Sequence, residues 1–161
     1  RTEAAVGSAQ GLAMTEHREL AVRYFNEAWD LIDLPARTHQ QERDMLGLAM
    51  ASRQHWIEAA GTAENLAVAD WQVAHAASLA GLADVAMAFA IAAVERAEAE
   101  DVPAWLRAST HEGLARAHAT AGDREGYQRE VDATETLLAQ VDDQESRQLI
   151  AGQLASITPP V

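Results

Sequence analysis

An internal repeat of 41 residues, marked by Gly81 and Gly122, constrains the fold of this chain more than any other feature. Aligning the two glycines superposes residues 63–100 on residues 104–141. Helix-forming residues fill both halves, and each glycine favours the left-handed conformation that ends a helix. Each half is therefore predicted to be a helix–turn–helix pair. Because stacking such pairs buries a continuous core, the repeat predicts an array of antiparallel helices.

Prolines and N-caps divide the remainder of the chain into further helices. Thr15 is a candidate N-cap for a first helix, which Pro35 ends because proline disfavours helix in the residue before it. Thr38 with Gln41 forms the capping-box pattern of a second helix. Strand-like alternation is lacking, so we predict an all-α fold of about seven helices. The predicted boundaries are 1–14 for an N-terminal extension, 15–157 for a single helical domain and 158–161 for a C-terminal tail.

The central helix pair has the residue pattern of a known repeat. A small residue in its first helix, Ala74, is followed by Gly81 at the turn and by Ala86 and Ala93 in its second helix. This pattern resembles the tetratricopeptide repeat (TPR), a helix–turn–helix unit. The second pair keeps the small residue and the glycine but departs from the alanines. The resemblance implies a short, right-handed, TPR-like array.

Three strings that contain tryptophans are the most distinctive local sequences of the chain. They are Phe25-Asn26 with Trp29-Asp30-Leu31, then Ala51-Ser52-Arg53-Gln54-His55-Trp56, then Asn65-Leu66-Ala67 with Trp71-Gln72. Over residues 20–157 the chain is similar to a family of small uncharacterised bacterial proteins that are described only as TPR-like. That family brings no established activity, so the resemblance implies a fold and not a function.

The composition excludes several classes of partner. The formal net charge is −13, and all 12 basic residues are arginines. An acidic surface repels phosphate backbones and anionic lipids, so we expect no nucleic-acid and no membrane partner. The absence of cysteine removes disulfides, thiolate metal ligands and a cysteine nucleophile, and it suits a reducing compartment. No stretch is long and apolar enough to suggest a membrane span. We therefore predict a soluble cytoplasmic protein.

Motifs for metal binding and catalysis are incomplete. The pair His111-Glu112 begins like a zincin helix, but Ala115 stands where that motif needs a second histidine. None of the six histidines has a glutamate three residues before it, as di-iron helices require. A nucleophile elbow, a P-loop and a dinucleotide-binding glycine motif are also missing. We expect no metal and no cofactor; the sequence leaves catalysis open and favours a non-catalytic role.

One candidate site combines Arg53, His55 and Trp56 on the second helix with Trp71 and His75 on the third. Trp71 and His75 share a face because they are four residues apart in a helix. If antiparallel packing brings Trp56 near Trp71, two indoles with an arginine and a histidine could line a pocket for an anionic or aromatic ligand. The chain would then be a small-molecule binding protein or an enzyme. The preferred interpretation is a core, in which tryptophans bury area and the polar groups bond helix-end carbonyls.

A second candidate site is the concave face of the array, which the first helix of each TPR-like pair would line. Solenoid proteins bind extended peptides or helices on such surfaces. The leading interpretation is therefore a non-catalytic protein-interaction module that binds a peptide or protein segment there. The residues predicted on this face are Val68, Trp71, His75 and Ser78 in one pair and Ser109, Glu112, Arg116 and Thr120 in the other.

The run from Val85 to Val94 contains ten consecutive apolar residues. A helix that is apolar all round must be covered on every side. In a two-layer array, one face of this fourth helix would remain open. Either the N-terminal segment or a second subunit could cover it, and we predict a homodimer through this helix.

Overall fold

The computed structural model describes residues 2–99 and 101–161, and within them all regular structure is α-helical. The predicted all-α fold of about seven helices is confirmed. Among the described residues no helix combines the length and the apolar character that crossing a bilayer requires. The helices are α1 (Thr2–Ile32), α2 (His39–Glu58), α3 (Ala63–Leu79), α4 (Ala83–Ala99), α5 (Ala104–Thr120), α6 (Arg124–Leu138) and α7 (Gln144–Ala155).

The helices form two layers. Consecutive helices pack as the pairs α1–α2, α3–α4 and α5–α6. The inner layer is continuous, because α3 contacts both α1 and α5, and α5 contacts α7. The outer helices α2, α4 and α6 pack on the inner layer, and within the described ranges their backbones do not come close to one another. One face of α1, α3, α5 and α7 is therefore left uncovered by the outer layer.

Local signals set most of the helix ends. Thr38 Oγ1 accepts a hydrogen bond of 3.2 Å from the backbone N–H of Gln41, whose side chain accepts one of 2.8 Å from the Thr38 N–H. The predicted capping box is thus confirmed. The turn glycines are confirmed as well, since Gly81 has φ +72° and Gly122 has φ +74°, where any other residue would be strained.

The N-terminus differs from the prediction. Thr15 does not cap a helix; it lies inside α1, which begins at Thr2, and its hydroxyl donates 3.0 Å to the carbonyl of Gly11. The alanine-rich residues before Thr15 are good helix formers, and no proline interrupts them. Residues 2–14 therefore continue the first helix.

Small residues bring the two layers together. Ala74 and Ala115, which occupy the same position of the repeat, are both fully buried. Ala86 and Ala90 of α4 pack in one core cluster with Ala74, and Phe89 packs against this cluster and a second one. Because small residues fill the contact between the two layers, the larger aromatic side chains of the inner layer lie on its uncovered face.

Candidate binding groove

The uncovered face of the inner layer is an open groove made of two adjoining clefts. One cleft, of about 610 Å³, is lined by Arg37, His75 and Arg116, and we call it the arginine cleft. The other, of about 380 Å³, is the tryptophan cleft. Trp29 of α1 and Leu149 and Gln153 of α7 line both clefts, so that the two are continuous. The aromatic lining of the tryptophan cleft consists of Phe25, Trp29, Trp71 and Trp105.

A buried polar chain runs beneath the groove from α3 to α5. The indole N–H of Trp71 donates 3.1 Å to Oε2 of Glu112, which is fully buried. Arg116, one turn later on α5, donates from Nε (3.0 Å) and Nη2 (2.6 Å) to the other oxygen, Oε1. The carboxylate thereby satisfies two neighbours and neutralises the buried guanidinium. It fixes the orientation of both Trp71 and Arg116.

Arg116 also anchors α7. Its Nη2 donates 2.8 Å to the carbonyl of Gln153 and 3.1 Å to Oγ of Ser156, at the C-terminal end of that helix. A cation placed among the last carbonyls of a helix is favoured by the helix dipole. This contact holds the wall of the groove that carries Leu149, which is 63% exposed.

Arg37 has the same relation to α1. Its Nη1 donates to the carbonyls of Leu31 (3.2 Å), Ile32 (2.9 Å) and Leu34 (2.9 Å), where α1 ends. These bonds satisfy carbonyls that lack helical partners. They also hold the guanidinium at the mouth of the arginine cleft.

His75 lies between the two arginines and is only 5% exposed. Its ring meets Trp29 edge-on at 5.4 Å and Trp71 at 5.9 Å between centroids. Burial, and then the charges of Arg116 and Arg37, hold the pKa of His75 well below its usual value. The imidazole is therefore neutral at neutral pH and supplies one donor and one acceptor.

The tryptophan cleft is formed by aromatic rings in contact with one another. Trp29 and Trp71 lie 5.5 Å apart between centroids, and Phe25 meets Trp29 edge-on at 6.2 Å. These separations are within the favourable range for aromatic pairs. The walls of this cleft suit an apolar or aromatic group.

The residues predicted on the concave face come together around this groove. Val68, Trp71 and Ser109 line the tryptophan cleft, and His75 and Arg116 line the arginine cleft. Ser78 and Thr120 line a third cleft of about 430 Å³ that adjoins Arg116 and the C-terminal tail. Glu112 is the exception, because it lies buried behind the surface as the acceptor for Trp71 and Arg116.

The other predicted group is not formed. Arg53 pairs with the fully buried Asp70, which Arg96 also contacts at 2.8 Å, and its guanidinium lies over Phe89. None of these four residues lines either cleft of the groove. Arg53 therefore has a structural partner on the side of α3 away from Trp71.

His55 and Trp56 are also separated from Trp71. His55 Nδ1 lies 2.7 Å from Nδ1 of His17 on α1, and Trp56 packs against Gly61 at the end of α2. Successive helical positions point about 100° apart, so positions 53, 55 and 56 cannot all face one neighbouring side chain. Trp71 turns instead toward α1 and α5.

The prediction missed the contributions of α1, of the segment that follows it and of α7. Trp29, Arg37, Leu149 and Gln153 all lie outside the repeat from which the concave positions were counted. For Arg37 a signal exists in the sequence, since a basic residue between a helix-ending proline and the next N-cap is well placed to bond the preceding carbonyls. For Leu149 and Gln153 the sequence carries no such signal, because only the tertiary packing of α7 places them beside the groove.

In the ranges that the structure describes, no three histidine, aspartate or glutamate side chains are grouped as metal ligands. No protein-family model, curated protein or solved structure matches the chain. The groove is therefore the feature of the molecule that bears on its function.

Proposed function

We propose that this chain is a non-catalytic, TPR-like interaction module that binds an extended segment of a protein or peptide in the groove. Membership of the small bacterial TPR-like family and a cytoplasmic location belong to the same proposal. The observation that carries it is the continuity of the two clefts along α1, α3, α5 and α7. An extended segment needs such a path, with successive pockets for its side chains.

The shape and lining of the groove support this function. It is open to solvent along its length and carries an exposed apolar side chain, Leu149, at the point shared by both clefts. Aromatic rings beside an arginine form the kind of surface that dominates binding energy in protein interfaces. The fixed guanidinium of Arg116 and the neutral His75 supply hydrogen bonds without requiring a metal or a cofactor.

Selection from a library of random dodecapeptides displayed on phage tests the proposal. Selected peptides are synthesised with a fluorophore, and their dissociation constants for the whole chain are measured by anisotropy. Leu149→Glu places a charge where both clefts meet, and we expect it to weaken binding about tenfold or more, equivalent to about 1.4 kcal/mol. Val22→Glu is the matched control, because Val22 is 46% exposed on α1 and lines neither cleft.

Loss of binding in Leu149→Glu with retention in Val22→Glu supports the groove as the binding site. The proposal is wrong if no peptide is selected, or if the selected peptides bind both variants equally. Circular dichroism of the two variants checks that each remains helical.

A further inference from the structure

Buried polar atoms without a partner are concentrated around the arginine cleft. Five such side-chain atoms occur in the described part of the chain, and three of them belong to residues that line this cleft or the third cleft beside it. They are Arg37 Nε, His75 Nδ1 and Ser78 Oγ. Folded proteins leave few buried polar groups unsatisfied, so that a cluster of them needs an explanation. Because these atoms belong to residues that line a cleft, a polar group of a bound ligand would explain them.

Both guanidinium groups are fixed and still have donors to offer. Arg37 is held through Nη1 alone, and Arg116 through Nε and Nη2. Arg37 Nη2 and Arg116 Nη1 make no hydrogen bond to the residues that the structure describes. A guanidinium presents its donors in a plane that matches a carboxylate. Because the protein already holds these groups in place, binding would cost little side-chain entropy.

The charges around the cleft favour an anion with a single charge. Among the described residues, the exposed Asp33 is the only carboxylate that lines the cleft, while Glu112 lies behind Arg116 and partly neutralises it. The whole chain carries −13. A doubly charged phosphate would meet twice the repulsion that a carboxylate meets from these groups. The neutral His75 adds a hydrogen-bonding group without adding charge.

The arginine cleft and the tryptophan cleft are near neighbours. Trp29 lines both, and its ring centroid is 5.4 Å from that of His75 and 5.5 Å from that of Trp71. A ligand that fills both clefts therefore has an anionic group close to an apolar one. We propose that the segment bound in the groove carries an aspartate or glutamate side chain for the arginine cleft and, within a few residues, an aromatic or aliphatic side chain for the tryptophan cleft. This inference rests on the proposed function.

Paired synthetic peptides test the inference on the whole chain. Each peptide selected by phage display that contains an acidic residue is made in two forms, with Glu or with Gln at that position. We expect the Glu form to bind the wild-type chain about tenfold more tightly, because the carboxylate gains charge-assisted hydrogen bonds. Raising the salt concentration should weaken the Glu form more than the Gln form, since a charge interaction is screened.

Two protein variants locate the effect. Arg37→Gln should bring the two peptide forms to within about twofold of each other, since it removes the charge at the cleft. Arg124→Gln removes the same charge from an exposed position on α6 outside the groove, and it should keep the tenfold preference. The comparison of peptides on the wild-type chain requires no variant, so it remains decisive even where Arg37→Gln disturbs the end of α1.

The failures of the two proposals are distinguishable. Peptides that depend on Leu149 but carry no acidic residue, or that bind equally as Glu and Gln forms, overturn the acidic-segment inference and leave the binding groove in place. The same applies if Arg124→Gln abolishes the preference as fully as Arg37→Gln does. The absence of any peptide that depends on Leu149 overturns both proposals.

Discussion

Trp71 and Glu112 stand 41 residues apart, one full repeat, and a hydrogen bond of 3.1 Å joins the indole nitrogen of the first to the carboxylate of the second. Equivalent positions of two neighbouring helix pairs thus hold a donor in one pair and its acceptor in the next. His75 and Arg116 are related by the same repeat and line one cleft. The repeat generates the backbone of the groove, and the differences between its copies generate the polar chain beneath it.

We predict that Glu112→Ala lowers the free energy of unfolding by about 3–5 kcal/mol, because it leaves the buried guanidinium of Arg116 without its counter-charge. The double variant Glu112→Leu with Arg116→Met removes both charges and should lose less than the sum of the single variants. Urea denaturation of the single and double variants measures this coupling. Additive losses would show that the pair does not act as a unit.

The glycine after Glu112 should be intolerant of a side chain. A Cβ at Gly113 would lie 2.6 Å from Cδ1 of Trp71, whereas a Cβ at Gly47 in α2 would meet nothing within 4 Å. We expect Gly113→Ala to destabilise the fold by about 1–3 kcal/mol through overpacking. Gly47→Ala should stabilise it by about 0.5–1 kcal/mol, since alanine favours helix more than glycine does. Thermal unfolding of the two variants should show shifts of opposite sign.

Trp71 and Trp56 should differ in their contributions to stability. Trp71 is 7% exposed and contacts two aromatic rings, so Trp71→Ala should cost about 3–5 kcal/mol. Trp56 is half-buried at the end of α2, and Trp56→Ala should cost clearly less. Chemical denaturation compares them. A loss below about 1 kcal/mol for Trp71→Ala would contradict its place in the core.

The fold could be predicted largely because its signals are local. The capping residue Thr38 and the turn glycines Gly81 and Gly122 each act within a few residues of the chain. Thr15 shows where this logic fails. A threonine within a helix-forming stretch carries no cap signal of its own, since its hydroxyl can bond the carbonyl four residues earlier.

The site was predictable only where the repeat extends. Counting from the glycines placed His75 and Arg116 on the face that the groove occupies, because helical periodicity fixes the face. The position of Arg53 depended instead on which partner satisfies its charge. That partner is Asp70, one residue before Trp71 and on another face of α3. Nothing in the spacing of these residues distinguishes the two outcomes.

The homodimer through α4 stays a prediction. Val85, Met87 and Phe89 pack against the core, whereas Leu82 and Ile91 remain 43% and 42% exposed. In the described part of the chain, the backbone of α1 does not come close to that of α4. We expect light scattering after size exclusion to give a dimer mass at tens of micromolar. Ile91→Glu should give a monomer, and Ile57→Glu, also at an exposed position, should not; a monomeric wild-type chain would refute the prediction.

His75 should make the fold sensitive to mild acid. Its pKa in the folded chain is held well below the usual 6.5 by burial and then by Arg116 and Arg37. Below pH 6.5 the unfolded chain binds a proton at this position and the folded chain does not, so stability falls as pH decreases. As the pH is lowered from 6.5 to 5, the stability of the wild-type chain should therefore fall more steeply than that of His75→Asn, which lacks the imidazole.

The carboxylates with lowered pKa values affect stability at lower pH than His75 does. They are Asp123, Glu130 and Asp143, whose usual pKa values are 3.8, 4.5 and 3.8. The remaining histidines are common to both proteins, so the difference between wild type and His75→Asn isolates the contribution of His75. Urea denaturation of both proteins from pH 7.5 to pH 5 measures that difference. Equal slopes would mean that His75 takes up its proton in the folded chain as readily as in the unfolded one. Its burial between two guanidinium groups argues against that result, because each of the three causes disfavours the imidazolium form.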